Sequence, residues 1–121
     1  MVSNIKFRYL YRDGSNFKRW SHVVFRNSEG LGVADITVTL RRALVGGDLF
    51  VAHQIQVPEL FLYEKSEANS DDHCFHEFYK LEYTGEPPTD PYHRSAREFL
   101  EQVLATGWEP FDPFDREFRA P

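Results

Sequence analysis

The densest run of chemically capable side chains is Asp71-Asp72-His73-Cys74-Phe75-His76-Glu77, which holds every common zinc-ligand type. Its spacing works against a metal centre. On an extended strand His73 and His76 point to opposite faces, while Cys74 and His76 share a face and supply only two ligands. His53 or His93 would have to complete the set from a distance, and no Cys-x-x-Cys pair exists. A thiolate–base pair of Cys74 and His76 is also poorly placed, because same-face neighbours on a strand lie about 7 Å apart. The expectation is therefore no metal, no cofactor and no catalytic residue. These histidines should make local hydrogen bonds, and Cys74 should act as a small hydrophobe. No phosphate-cradling glycine loop, nucleophile elbow or His-Glu-x-x-His pattern is present.

A second set suits binding. Arg8, Tyr11, Arg12, Asn16, Lys18 and Trp20 fall close together near the N-terminus. Arginine and lysine suit phosphate, aromatic faces suit bases, and asparagine can read ribose hydroxyls or base edges. The same toolkit fits a protein interface, where Tyr, Trp and Arg are the usual anchors. Strand parity constrains it: Arg8 and Arg12 share one face, and Tyr11 belongs to the other unless the chain twists.

The elements that position these residues follow from periodicity. Ile5, Phe7, Tyr9 and Tyr11 alternate with Lys6, Arg8, Leu10 and Arg12, the pattern of a half-buried strand. Asp13-Gly14-Ser15-Asn16 supplies turn chemistry, and Phe17 to Arg26 reads as a returning strand. The two form an N-terminal β-hairpin. Apolar residues at 33, 36, 40, 43 and 44 predict a helix ending before Gly46-Gly47, although Thr37, Val38 and Thr39 are poor helix formers. A short turn or strand is expected at 49–52, a bend at Val57-Pro58 and a strand at 60–64. Residues 65–72 read as a polar loop, and 73–83 as one long strand. Ser95 and Glu98 spell a capping box for a helix with Ala96, Phe99, Leu100, Val103 and Leu104 on one face. The fold class is α+β: an antiparallel sheet with two helices packed on one face. Residues 1–107 form a single domain. Residues 108–121 form an aromatic, acidic tail in which Pro-Phe-Asp occurs twice.

Composition narrows the class of function. The chain of 121 residues has 16% aromatics and a net charge of −5. Such aromatic richness argues against disorder, and the acidity argues against binding a nucleic-acid polymer. There is no run of about 18 apolar residues, so no membrane span is expected. The first residues lack an apolar secretory core, and the single Cys74 suits a reducing compartment, so the expected location is cytoplasmic. Charge is unevenly distributed. Residues 1–26 carry Lys6, Arg8, Arg12, Lys18, Arg19 and Arg26 against Asp13 alone, whereas the remainder is strongly acidic. The basic segment can gather an anionic ligand, or it can pair with the protein's own acidic part.

Three segments resemble a group of small bacterial and prophage proteins. They are Phe7-Arg8-Tyr9-Leu10-Tyr11-Arg12-Asp13-Gly14-Ser15-Asn16-Phe17-Lys18, then Leu49-Phe50-Val51-Ala52 with Val57-Pro58-Glu59-Leu60, and Asp71-Asp72-His73-Cys74-Phe75-His76-Glu77-Phe78. In size, aromatic richness and α+β plan the chain is similar to the Thoeris anti-defence sponge proteins of phages. That resemblance implies a non-enzymatic homo-oligomer sequestering a small phosphorylated, nucleotide-like signal, and it carries no site residues over. The alternative expectation is a protein-interaction module or small inhibitor using its hairpin and aromatic tail.

Overall fold

The computed structural model describes residues 3–13, 16–61 and 73–111. The elements run β1 (Asn4–Arg12), β2 (Lys18–Phe25), α1 (Val33–Ala43), β3 (Leu49–Phe50), a 3-10 turn (Ala52–Ile55), β4 (His76–Thr84) and α2 (Ala96–Ala105). The four strands form one antiparallel sheet in the order β2-β1-β4-β3, with the helices on one face, an α+β fold as expected. Among the described residues no helix is long and apolar enough to cross a membrane.

The hairpin is built as its alternation requires. β1 pairs with β2 without a break, from Ile5 opposite Phe25 to Arg12 opposite Lys18. Asn16, with φ of 69°, takes the left-handed conformation that closes the turn, and its N–H donates to Asp13 O (3.0 Å). Ile5, Phe7, Tyr9 and Tyr11 all lie on one face of the strand and are fully buried in the core. Phe7 sits at the centre of a ring cluster, with Tyr9, Phe50, Phe78 and Phe99 centroids 5.1–5.7 Å away. Burial of several such rings supplies much of the apolar driving force.

The two helices start differently. Ser95 Oγ accepts from Glu98 N, and the Glu98 carboxylate accepts from Ser95 N, so the capping box is complete. α1 begins at Val33 behind Gly32, which has no capping side chain; instead Val33 N–H donates to the Tyr83 hydroxyl of β4 (3.0 Å). Thr37 and Thr39 return their hydroxyls to the carbonyls of Val33 and Asp35. This satisfies them inside a helix they disfavour as free residues.

Three expectations are revised. The strand placed at 73–83 begins only at His76, and its parity breaks midway. The register with β1 moves from Arg8 opposite Lys80 to Tyr9 opposite Phe78, so Tyr79 is an extra residue. His76, Phe78 and Leu81 therefore all point inward while Tyr79 is pushed out. Leu60 and Phe61 belong to no strand, and the rest of the expected 60–64 strand lies outside the described residues, as does the 65–72 loop. On α2, Ala96, Phe99 and Val103 are buried but Leu104 is exposed, so the apolar stripe is narrower than its sequence suggests.

The start of the expected tail packs on the domain. Trp108 Nε1 donates to Ala43 O at the end of α1 (2.8 Å), and Phe111 is buried against Val51 and Cys74. Residues 112–121, including the second Pro-Phe-Asp, lie outside the described residues.

Candidate functional site

The two described helices cover one face of the sheet and, among the described residues, leave the other open. Strand alternation puts Lys6, Arg8, Leu10 and Arg12 of β1 on that open face, beside Lys18, Trp20 and His22 of β2 and Glu77 and Glu82 of β4. The bulge adds Tyr79 to it. Trp20 and Tyr79 meet edge to face with centroids 5.1 Å apart, and each leaves about half its surface in solvent (50% and 45%). Leu10 lies on the same face of the sheet, opposite Trp20, and is almost completely covered. The Arg8 guanidinium carbon sits 5.5 Å from the Tyr79 ring centroid, and Lys80 Nζ lies 5.6 Å from it. Phe17, 69% exposed, lies at the hairpin turn.

The basic segment spends most of its charge within the molecule. Lys6 pairs with Glu86, Arg8 with Glu82 (3.4 Å), and Arg12 with Glu77 through two contacts of 2.9 and 3.4 Å. These pairs form a ladder from β1 to β4 and the loop that follows it. Burial tends to raise the Glu82 pKa, but a hydrogen bond from Lys80 and the charges of Lys80, Arg8 and Lys6 outweigh it and hold the carboxyl below its ordinary value. Hydrogen bonds from Lys6 and Thr84 lower that of Glu86. Hydrogen bonding to Glu77 raises the Arg12 pKa further. Lys18 is exposed and has no ion pair among the described residues.

Of the residues expected to bind ligand, Arg8, Arg12, Lys18 and Trp20 share this face. Asn16 sits at the turn and accepts a hydrogen bond from Arg12. Tyr11 does not join them and leaves the candidate set. It points into the core with no exposed surface, its hydroxyl donates to His73 O (2.8 Å), and its ring meets Phe61 and His76. The hairpin does not twist enough to bring it round.

Within the Asp71–Glu77 run, His73, Cys74 and His76 hold loops to the sheet or to one another. His73 Nδ1 accepts from Phe75 N (3.1 Å), which leaves the proton on Nε2 to donate to Arg12 O (2.7 Å). His76 is buried and its Nε2 accepts from Leu60 N (2.8 Å). Cys74 Sγ accepts from Phe111 N (3.4 Å). Asp71 and Asp72 lie outside the described residues. Among the described residues no three His, Cys, Asp or Glu side chains converge as a metal site.

Chemically, the open face is a broad surface rather than an enclosed pocket. A ligand pocket normally buries most of a small molecule. A shallow cleft of about 330 Å³ lies elsewhere, between Pro58, Glu59 and His53 on one side and Tyr92 on the other. An anion reaching Arg8 or Arg12 competes with a carboxylate already bound there.

Two groups were missed from the sequence. Tyr79 was not singled out within the 73–83 strand; the signal for the bulge was the spacing of His76, Phe78 and Leu81, which departs from a strict period of two. The second is a buried ion pair, Asp90 with Arg94, in the loop before α2. Comparison of the chain with protein families, curated proteins and solved structures finds no match.

Proposed function

We propose that this chain is a non-catalytic binding protein that captures a protein partner on the open face of its sheet. The observation that carries this reading is the half-exposed Trp20–Tyr79 pair with Arg8 against it, on a surface that neither described helix covers. Aromatic and arginine side chains over a sealed leucine are the composition of an interface hot spot. The breadth of the face favours a macromolecule over a small molecule. A non-catalytic role is supported by Cys74, the candidate nucleophile, which is buried with its sulfur accepting a backbone hydrogen bond. A cytoplasmic setting, which keeps that thiol reduced, belongs to the same proposal.

The test uses tagged full-length protein, wild type and Trp20→Ala, to capture partners from the native host. Trp20→Ala loses the partner by about 2 kcal/mol or more of binding free energy, while its thermal midpoint stays within a few degrees of wild type. Truncation after Phe111 retains capture, because the anchors lie on the hairpin and β4. Equal capture by Trp20→Ala and wild type overturns the proposal, and loss on truncation alone moves the contact to the tail.

A second reading is sequestration of a small phosphorylated, nucleotide-like molecule by a homo-oligomer. It is favoured by one observation: Arg8, Arg12, Lys18 and Trp20 share a face, which a second copy would convert from a surface into a cleft. Native mass spectrometry of gently purified protein, with calorimetry against a panel of nucleotides and cyclic dinucleotides, decides it. An empty monomer with no heat removes this reading.

A further inference from the structure

The sheet has a half-used edge. Val24 N–H donates to Thr89 Oγ1 and Val24 O accepts from Thr89 N, both at 2.9 Å, and Arg26 O accepts from Ala96 N (2.8 Å). The backbone groups of residues 24 and 26 therefore point away from β1, and the chain's own loop has taken them. β2 pairs with β1 in unbroken register, so by alternation the N–H and C=O of Lys18, Trp20 and His22 point along the same outer edge. Among the described residues no backbone group reaches them. Among the described residues, the edge that the protein caps at one end continues without a backbone partner for the length of a short strand.

The side chains on this stretch specify what fits. Between Phe17 and Val23 the chain carries Lys18, Arg19 and His22 and no acidic residue. Lysine on an open edge is a common guard against self-pairing, and here two copies meeting edge to edge would bring cations together. An extended acidic segment meets no such repulsion. Resting on the protein-partner reading above, we propose that the partner adds a strand of acidic character to the open edge of β2 at Lys18–His22. Main-chain hydrogen bonds would hold it. Lys18 and Arg19 would select its charge, and Trp20 would pack over it from the open face.

The experiment uses the full-length chain and a short synthetic peptide alternating glutamate and valine, with a lysine-for-glutamate peptide as control. Amide hydrogen exchange by NMR is the readout. On saturation with the acidic peptide, the amides of Trp20 and His22 gain protection, while those of Arg19 and Ser21, already facing β1, do not change. The lysine peptide gives no protection. His22→Pro removes an outward donor without touching the β1 ladder, and affinity falls by about tenfold. Should that variant unfold, added salt weakening the wild-type complex tests the charge selection instead. Binding that perturbs the Trp20 and Tyr79 rings without protecting the edge amides overturns strand addition and leaves the face reading standing. No binding at either place counts against both. Concentration-dependent protection without peptide assigns the edge to a second copy and overturns the proposal, as does equal binding of the lysine peptide.

Discussion

Replacing Arg94 with alanine lowers the unfolding free energy by about 3–5 kcal/mol, the range expected when one member of a buried ion pair is removed. The guanidinium is almost entirely enclosed, and every part of it is used. Nε and Nη2 donate to the two Asp90 oxygens (2.9 and 3.0 Å), Nη1 to Ile55 O and Gln102 Oε1 (both 2.8 Å), and Nη2 also to Gln56 O (3.0 Å). Ile55 and Gln56 lie at the end of the 3-10 turn, whose last carbonyls have no partner within the turn itself. Arg94 thus caps the turn, pairs with Asp90 and reaches α2 through Gln102. Phe25, Tyr92 and Phe99 present ring faces to it at 5.2–5.5 Å. Alanine strands a carboxylate that is 1% exposed. Denaturant unfolding checks the value; a loss under about 1 kcal/mol would place Arg94 among ordinary surface residues.

The same pair sets a pH dependence. Burial pushes the Asp90 pKa up, but the hydrogen bonds and charge of Arg94 outweigh it, and the net shift is downward. A carboxyl with a lowered native pKa contributes stability above its unfolded value of about 4. That contribution is lost as the pH falls through the lower native value. Asp90→Asn therefore starts less stable at neutral pH and declines less steeply than wild type under acid. Parallel slopes would show that the pair does not form.

Phe99→Ala costs about 3–5 kcal/mol, the range for truncating a buried phenylalanine. Its ring stacks on Phe25 at 4.3 Å and meets Phe7 edge-on at 5.1 Å, so it ties α2 to both strands of the hairpin. It also forms part of the wall behind Arg94, so the two substitutions are not additive. A double-mutant cycle should give a coupling of about 0.5–3 kcal/mol. Independent effects would mean that the ring and the guanidinium do not share one packed unit.

These two residues mark the limit of what periodicity reveals. Phe99 was legible because α2 announces itself with a capping box and regular apolar spacing. β1 was legible because its inward and outward sets never overlap, which also foretold that Arg8 and Arg12 would lie together and Tyr11 apart. Arg94 was not legible. It sits in a loop of prolines and polar residues, and its partners at 55, 56 and 102 are set by tertiary packing alone. The open face was half legible. Its cations and Trp20 follow from alternation, but Tyr79 arrives by a bulge, which breaks the alternation used to read it. The ladder of ion pairs also needed the β1–β4 register, since the charge imbalance alone fits either an outside anion or the protein's own carboxylates.

The strand order has a consequence for how the chain comes together in time. β1 lies between β2 and β4, and its pairing with β4 sets Asn4 opposite Thr84. The hairpin closes locally, within a turn's length of chain, but the central pair must wait for a loop of nearly the whole domain to close. Such non-local pairing slows the search for the native state. On the ribosome β1 therefore emerges well before β4 and completes its contacts only when β4 arrives. Until β4 is made, one side of β1 offers open backbone next to Phe7, Tyr9 and Tyr11, and a nascent chain in that condition is exposed to misassociation.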